Sequence, residues 1–156
     1  MAKNGHVDSK ELERFRQMVQ KSLGEEQIAQ FIESCAKELA ARLLAKVIKR
    51  TPVGDYPKSS GKKGGTLRRG WTGGTGSAAN AYASSLKVNH FGDVYVIEII
   101  NPIEYAPYVE YGHRTRGGNG WVEGKFMLTI SEQEIERVAP NILANKLKKK
   151  LGECFR

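Results

Sequence analysis

The chain has 156 residues, 40% hydrophobic and 27% charged, with 25 Lys and Arg against 17 Asp and Glu and a formal net charge of +8. Those values describe a soluble globular chain of one domain, with a core that needs no disulfide staples. They exclude a membrane-spanning chain, because the longest apolar run, VYVIEII, is short and carries Glu98. The first residues, MAKNGHVDSKELERF, hold no apolar stretch of the signal-peptide kind. Cys35 and Cys154 fit no metal-ligand spacing. A reducing, intracellular setting and assembly in the cytoplasm are the simplest expectation.

Residues 1–7 read as disordered. Asp8 or Ser9 can cap a first helix, with Glu11 as a capping-box partner. Leu12, Phe15, Val19 and Leu23 recur at helical spacing until Gly24 interrupts. Glu25 and Glu26 suit the positive end of a second helix. Ile28, Phe31, Ile32, Cys35, Leu39, Leu43 and Val47 form its apolar stripe over residues 25–50. Thr51-Pro52 ends it, because proline disfavours helix in the residue before it. Cys35 falls on the apolar face as a small buried hydrophobe, and Cys154 lies near a frayed end with residues 152–156 disordered.

Residues 54–65, rich in glycine, proline and lysine, read as a flexible loop. Strands are predicted over residues 67–72, 82–91 and 94–100, the last two joined by a Phe91-Gly92-Asp93 turn as an antiparallel hairpin. The 94–100 strand is apolar on both faces and reads as central. Residues 103–111 suit a short helical turn. Residues 113–120, HRTRGGNG, read as a mobile basic loop. A helix is predicted over 122–138, with an alternative start at Ser131, and Pro140 should kink or restart it before residues 141–151. The fold class expected is α+β: long N-terminal helices and a C-terminal helix packed on a small antiparallel sheet, a meander of three or four strands.

Catalytic patterns are missing. No HExxH or GxSxG occurs, GKKGGT at 61–66 lacks the order of a phosphate-binding loop, and RGGNG at 116–120 has no strand-to-helix context. The expectation is no catalysis, no metal and no cofactor. His6, His90 and His113 read as solvated or loop residues.

Charge is more informative. Between Tyr56 and Gly92 stand six basic residues, Lys58, Lys62, Lys63, Arg68, Arg69 and Lys87, and no acid. Arg114 and Arg116 add a second basic loop. These loops suit a DNA backbone, an acidic protein surface, or solvent alone. Trp71 and Tyr95 read as core. Tyr105, Tyr108, Tyr111 and Trp121 flank the second loop as core residues or interface anchors, and a mixture is expected: Tyr108 and Trp121 partly buried, the others at an edge.

Three segments taken together, TPVG…GGTLRRGW at 51–71, EYAPYVEYGHRT at 104–115 and GWVEGKFML at 120–128, resemble the neck and tail-completion proteins of tailed bacteriophages. The likeness covers roughly residues 25–150 and rests on Thr51-Pro52-Val53, Gly65-Thr66-Leu67-Arg68, the run Ala106, Pro107, Tyr108, Val109, Glu110, Tyr111, Gly112, and Trp121 with Phe126. Its form is most similar to contractile-tailed phages or phage-tail-like particles. One departure is an insertion of about ten residues around Tyr56-Pro57-Lys58 that lengthens the basic loop. The resemblance implies a non-catalytic virion protein, a ring-forming and often hexameric subunit between head connector and tail tube. Its partners would be copies of itself, neighbouring connector and tail proteins, and DNA passing transiently through the lumen, with no membrane. The signature residues, with Tyr105, would form the interface. The alternative is a nonspecific nucleic-acid-binding protein acting through the basic loops.

Overall fold

Residues 9–154 are described in a computed structural model. The first seven residues and the Asp8–Glu11 capping pair lie outside what it describes. Helix α1 spans Ser9–Leu23 and α2 spans Glu25–Arg50, broken at Gly24 as the sequence predicts. Gly24 is extended (φ −63, ψ 163) and offers no side-chain cap, so Glu25 and Glu26 complement the first turn of α2 instead.

The C-terminal end of α2 is closed by three residues. The fully buried Thr51 hydroxyl donates to the Val47 carbonyl at 2.6 Å and accepts from Trp71 Nε1 at 2.7 Å. The Arg68 guanidinium donates to the Thr51 carbonyl through Nε at 3.2 Å and Nη2 at 2.7 Å. A cation is thereby set where the helix dipole is negative and carbonyls lack intrahelical donors.

One predicted strand and the first part of another are helical. The segment expected as a strand at 67–72 begins as α3, Thr66–Gly70, followed by Trp71 in a turn. Its inward residues, Leu67, Gly70 and Trp71, are spaced i, i+3, i+4, and all are buried. The first part of the segment expected as a strand at 82–91 is α4, Ala79–Ser85. Ala79, Tyr82, Ala83 and Leu86 recur at helical spacing against the core; the alternation from Leu86 to Asn89 belongs only to the stretch beyond it.

The hairpin itself is present but shorter. Strand β1, Asn89–Phe91, pairs antiparallel with β2, Val94–Val96, with Asn89 opposite Val96 and Phe91 opposite Val94. A two-residue Gly92-Asp93 loop joins them, with Gly92 at φ +63. The strand predicted to reach Ile100 stops at Val96. Ile97, Ile99 and Ile103 pack against the core as extended chain, and Asn101 Nδ2 donates to the Leu67 carbonyl at 2.8 Å. The strand is therefore not central: Val94 and Ile100 are 58% and 62% exposed.

Helix α5, Ala106–Tyr111, fills the predicted helical turn. A second hairpin follows that the sequence did not disclose, β3, Gly112–Arg114, against β4, Trp121–Glu123. The last helix, α6, is Met127–Cys154 and passes through Pro140 as one element, starting neither at residue 122 nor at Ser131. The buried Ser131 hydroxyl donates back to the Met127 carbonyl at 2.6 Å, within the helix rather than as its cap. Residues 152–154 are helical, and Cys154 is buried rather than frayed. Cys35 is buried as expected, and burial pushes its thiol pKa up.

The fold is α+β, but among the described residues there are two sheets of two strands each and no meander. No strand residue is buried. The core is Ala40, Leu44 and Val47 of α2 with Leu67, Trp71, Ala83, Ala106 and Met127, so helices and turns close on α2 where a sheet was expected. Helix α6 runs antiparallel to α2, tied by Lys46 and Arg50 on Glu134 and by Lys146 on Glu38.

Candidate functional site, an aromatic face with a basic rim

Helix α5 has one inward and one outward side. Ala106 and Glu110 are buried and Val109 is half-buried. Tyr105, its N-cap, and Tyr108 and Tyr111 stand three residues apart on the outward side, 46%, 59% and 63% exposed. Trp121 is 55% exposed, so the expected partial burial of Tyr108 and Trp121 does not occur. Tyr111 meets the ring of Phe126 edge-on at 6.5 Å and Tyr108 meets His113 at 6.0 Å. Val122, next to Trp121 in the sequence, is also exposed, at 41%.

The exposed rings sit on a clamped base. Helix α6 begins at Met127, and the preceding residue, Phe126, has no oxygen with which to cap it. Glu110 supplies the cap from α5. Its carboxylate accepts from Leu128 N and Thr129 N, each at 2.9 Å, and from Thr129 Oγ1 at 2.7 Å. These are the second and third residues of α6, the donors that an N-cap side chain ordinarily takes. Lys125 N donates to the Val109 carbonyl at 2.7 Å and Phe126 N to the Glu110 carbonyl at 3.0 Å. Gly112 has φ +87, and a Cβ there would lie 2.5 Å from the Val122 carbonyl oxygen and 2.9 Å from Gly124 N. Ala106, Glu110 and Gly112, expected at an interface, thus hold the face from beneath, while Val109 is half-buried.

The basic loop expected at 113–120 is shorter than predicted, because strands take part of it. Its flanks are β3 and β4, and the tip is closed by Thr115 N to the Gly120 carbonyl and Gly118 N to the Thr115 carbonyl, both 2.9 Å. Arg114 and Arg116 are exposed on it.

Two depressions join this hairpin to the long loop before α3. One, of about 230 Å³, is lined by Val53, Tyr56, Lys63, Leu67, Tyr105 and Val109 among others. The other, of about 590 Å³, is lined by Tyr105, Tyr108, Val109, His113 and Arg114. They share Tyr105 and Val109, so segments distant in sequence form one surface. Lys63 lines it, Lys62 Nζ lies 5.9 Å from the Tyr56 ring centroid, a cation–π contact, and Lys58 is exposed in the same loop. Arg69 is exposed with only long bonds, to Gly64 O at 3.4 Å and Thr66 Oγ1 at 3.5 Å. Arg68 does not belong to this rim, because both its bonds go to the end of α2. Among the described residues none of the rim cations has a carboxylate partner.

A groove of about 750 Å³ lies elsewhere, between α2 and α6. Its Glu38, Arg42 and Lys146 are already bonded to one another. No group of three or more metal-ligating side chains occurs among the described residues. His90 is exposed in β1 and packs on Tyr95, ring centroids 3.9 Å apart, and His113 Nδ1 lies 2.9 Å from the Arg114 carbonyl. The aromatic face offers apolar contact, cation–π contact and hydrogen-bond donation from phenols and guanidinium groups.

The family model HK97-gp10_like, "Bacteriophage HK97-gp10, putative tail-component", matches residues 13–112. The match runs from within α1 to the first residue of β3 and so includes the closure of α2 and all of α5. No curated protein and no solved structure matches the chain.

Proposed function

The chain belongs to the HK97-gp10-like family and is a structural component of the phage tail or neck; from that premise we propose that it is a ring-forming subunit of the neck. In this role it completes the tail and joins the head connector to the tail tube, with DNA passing through the lumen of a ring, hexameric in the simplest case. It is built in the host cytoplasm and remains in the virion, or in a headless tail-like particle. It does no chemistry and carries no cofactor or metal. No described helix is long and apolar enough to cross a membrane.

The observation that supports this role is the exposure of Tyr105, Tyr108, Tyr111 and Trp121 on a base fixed by Glu110 and Gly112. Rigid, exposed tyrosine and tryptophan suit an interface, since they bury much area at low entropic cost. Particles made without this chain should show heads and tails that fail to join in electron micrographs, and the chain should be present in purified wild-type particles. Complete particles lacking the chain would sink the proposal.

A second role is favoured by the rim alone: among the described residues Lys58, Lys62, Lys63, Arg69, Arg114 and Arg116 have no carboxylate partner. Binding of random duplex DNA through four to six of them gives a slope of log K against log salt of about −4 to −5. Fluorescence anisotropy between low and moderate salt checks it, and a flat response refutes DNA as the partner of this rim.

A further inference from the structure

The aromatic face is not the only apolar surface left open. Among the described residues, the six most exposed large hydrophobic side chains are Phe91 (67%), Tyr111 (63%), Ile100 (62%), Tyr108 (59%), Val94 (58%) and Trp121 (55%). They fall in two places. Tyr108, Tyr111 and Trp121 belong to the aromatic face. Phe91, Val94 and Ile100 belong to the β1–β2 hairpin and the extended chain after it. Phe91 and Val94 are directly paired in register, so both project from one face of the hairpin tip. Contiguous apolar exposure on a soluble domain marks a contact site.

The two surfaces carry opposite charge. Residues 88–100 contain Asp93 and Glu98 and no Lys or Arg, and both acids are exposed. The depressions of the aromatic face are lined by Lys63 and Arg114 and by no acid, while Asp55, Glu104 and Glu123 are exposed in the neighbouring positions of the same segments. The surfaces also stand on different supports, since β1–β2 packs on α2 while β3 packs on α5. One apolar finger with acids and one apolar trough with cations are complementary in both hydrophobicity and sign.

We propose that the β1–β2 hairpin tip of one copy docks on the aromatic face of the next, with Phe91 and Val94 against Tyr105, Tyr108 and His113, and Asp93 and Glu98 toward Lys63 and Arg114. The contact joins two different patches, so it is head-to-tail: the growing chain of copies keeps one free surface of each kind, at its two ends, until it closes. It rests on the proposed neck role and gives that role its self-contact. It also accounts for an apolar segment, VYVIEII, that has more hydrophobic side chains than the two-stranded sheet buries.

Two surface variants test it without touching the core or the Gly92-Asp93 turn. The hairpin variant is Phe91→Ser with Glu98→Lys, and the face variant is Tyr108→Ser with Arg114→Glu. Far-UV circular dichroism confirms that both fold. Native mass spectrometry and sedimentation over a concentration series then read assembly. Wild-type protein should self-associate into oligomers larger than a dimer, and each variant alone should associate at least tenfold more weakly. An equimolar mixture retains one intact finger and one intact trough, so it should give a one-to-one dimer and nothing larger. A mixture that stays monomeric overturns the contact, as does either variant assembling like wild type, or wild type that stays monomeric throughout. A dimer that survives only in one variant alone points to a like-with-like contact and equally overturns it. The neck role is judged separately by the chain's presence in purified particles, so the contact can fail while that role stands.

Discussion

Replacing Glu110 by alanine should destabilise the fold, although residue 110 sits in the middle of the exposed tyrosine segment. The carboxylate is 6% exposed and accepts three bonds at the start of α6. Its loss leaves the amides of Leu128 and Thr129 without an acceptor, at about 1–3 kcal/mol each where water does not replace it. It also removes a negative charge from a helix N-terminus, about 0.3–1 kcal/mol. These costs overlap, and a helix cap as a whole is worth about 0.5–2 kcal/mol. Burial places Glu110→Ala above that range, at about 3 kcal/mol, which for a chain of this size lowers Tm by about 6–12 °C. Glu110→Gln keeps one acceptor oxygen and should lose about half as much. Urea titration followed by far-UV circular dichroism gives the difference, with the slope of the transition checked for constancy. A Glu110→Ala protein within about 0.5 kcal/mol of wild type would refute the assignment of Glu110 as the cap of α6 and return it to the interface.

Gly112→Ala should cost about 2–4 kcal/mol, because φ +87 is strained for any side chain and the added Cβ meets the Val122 carbonyl; thermal melts check it. Trp71→Phe removes the donor to Thr51 Oγ1 and should cost about 1–2 kcal/mol, visible in the same melts. By contrast Tyr108→Ser should leave stability within about 0.5 kcal/mol while reducing particle assembly, since the ring is mostly exposed. Stability should also fall in acid. Lys146 on Glu38, and Lys46 then Arg50 on Glu134, hold both carboxyls below the ordinary glutamate range. Folded values lower than unfolded ones give stabilisation that is full above the unfolded value, about 4.3, and lost as pH drops through the folded values. Tm measured from pH 5 to 3 should therefore decline, and Glu38→Gln should flatten that decline.

Helices α1 and α2 were legible because their apolar spacing persists over several turns and Gly24 and Pro52 mark the breaks. The failures come where elements are short. Helices α3 and α4 have five and seven residues, too few for a 3.6-residue period to separate from alternation. Arg68 and Trp71 look like strand residues until Thr51, seventeen and twenty positions away, supplies their partner. The segment 94–100 misled for the opposite reason. Its apolar density suggested burial on two faces, yet Val94 and Ile100 are among the most exposed hydrophobic residues of the chain. Density of hydrophobic residues measures how much surface wants cover, and the cover need not come from the same chain.

The segment 105–112 shows the limit at the site itself. Tyrosines at 105, 108 and 111 have the spacing of one helical face, but that spacing does not say whether the face points in or out. The deciding residue is Glu110. Once its carboxylate is tied to the amides of residues 128 and 129, the phase of α5 is set, Ala106 and Glu110 turn inward, and the three tyrosines turn outward. Those partners lie eighteen and nineteen residues downstream, beyond a loop and a hairpin, so no local pattern reports them. A charged residue between aromatic residues is ordinarily assigned to the surface and the aromatic residues to the core. Here a helix start without its own cap reverses both assignments, and the reversal leaves the three tyrosines exposed.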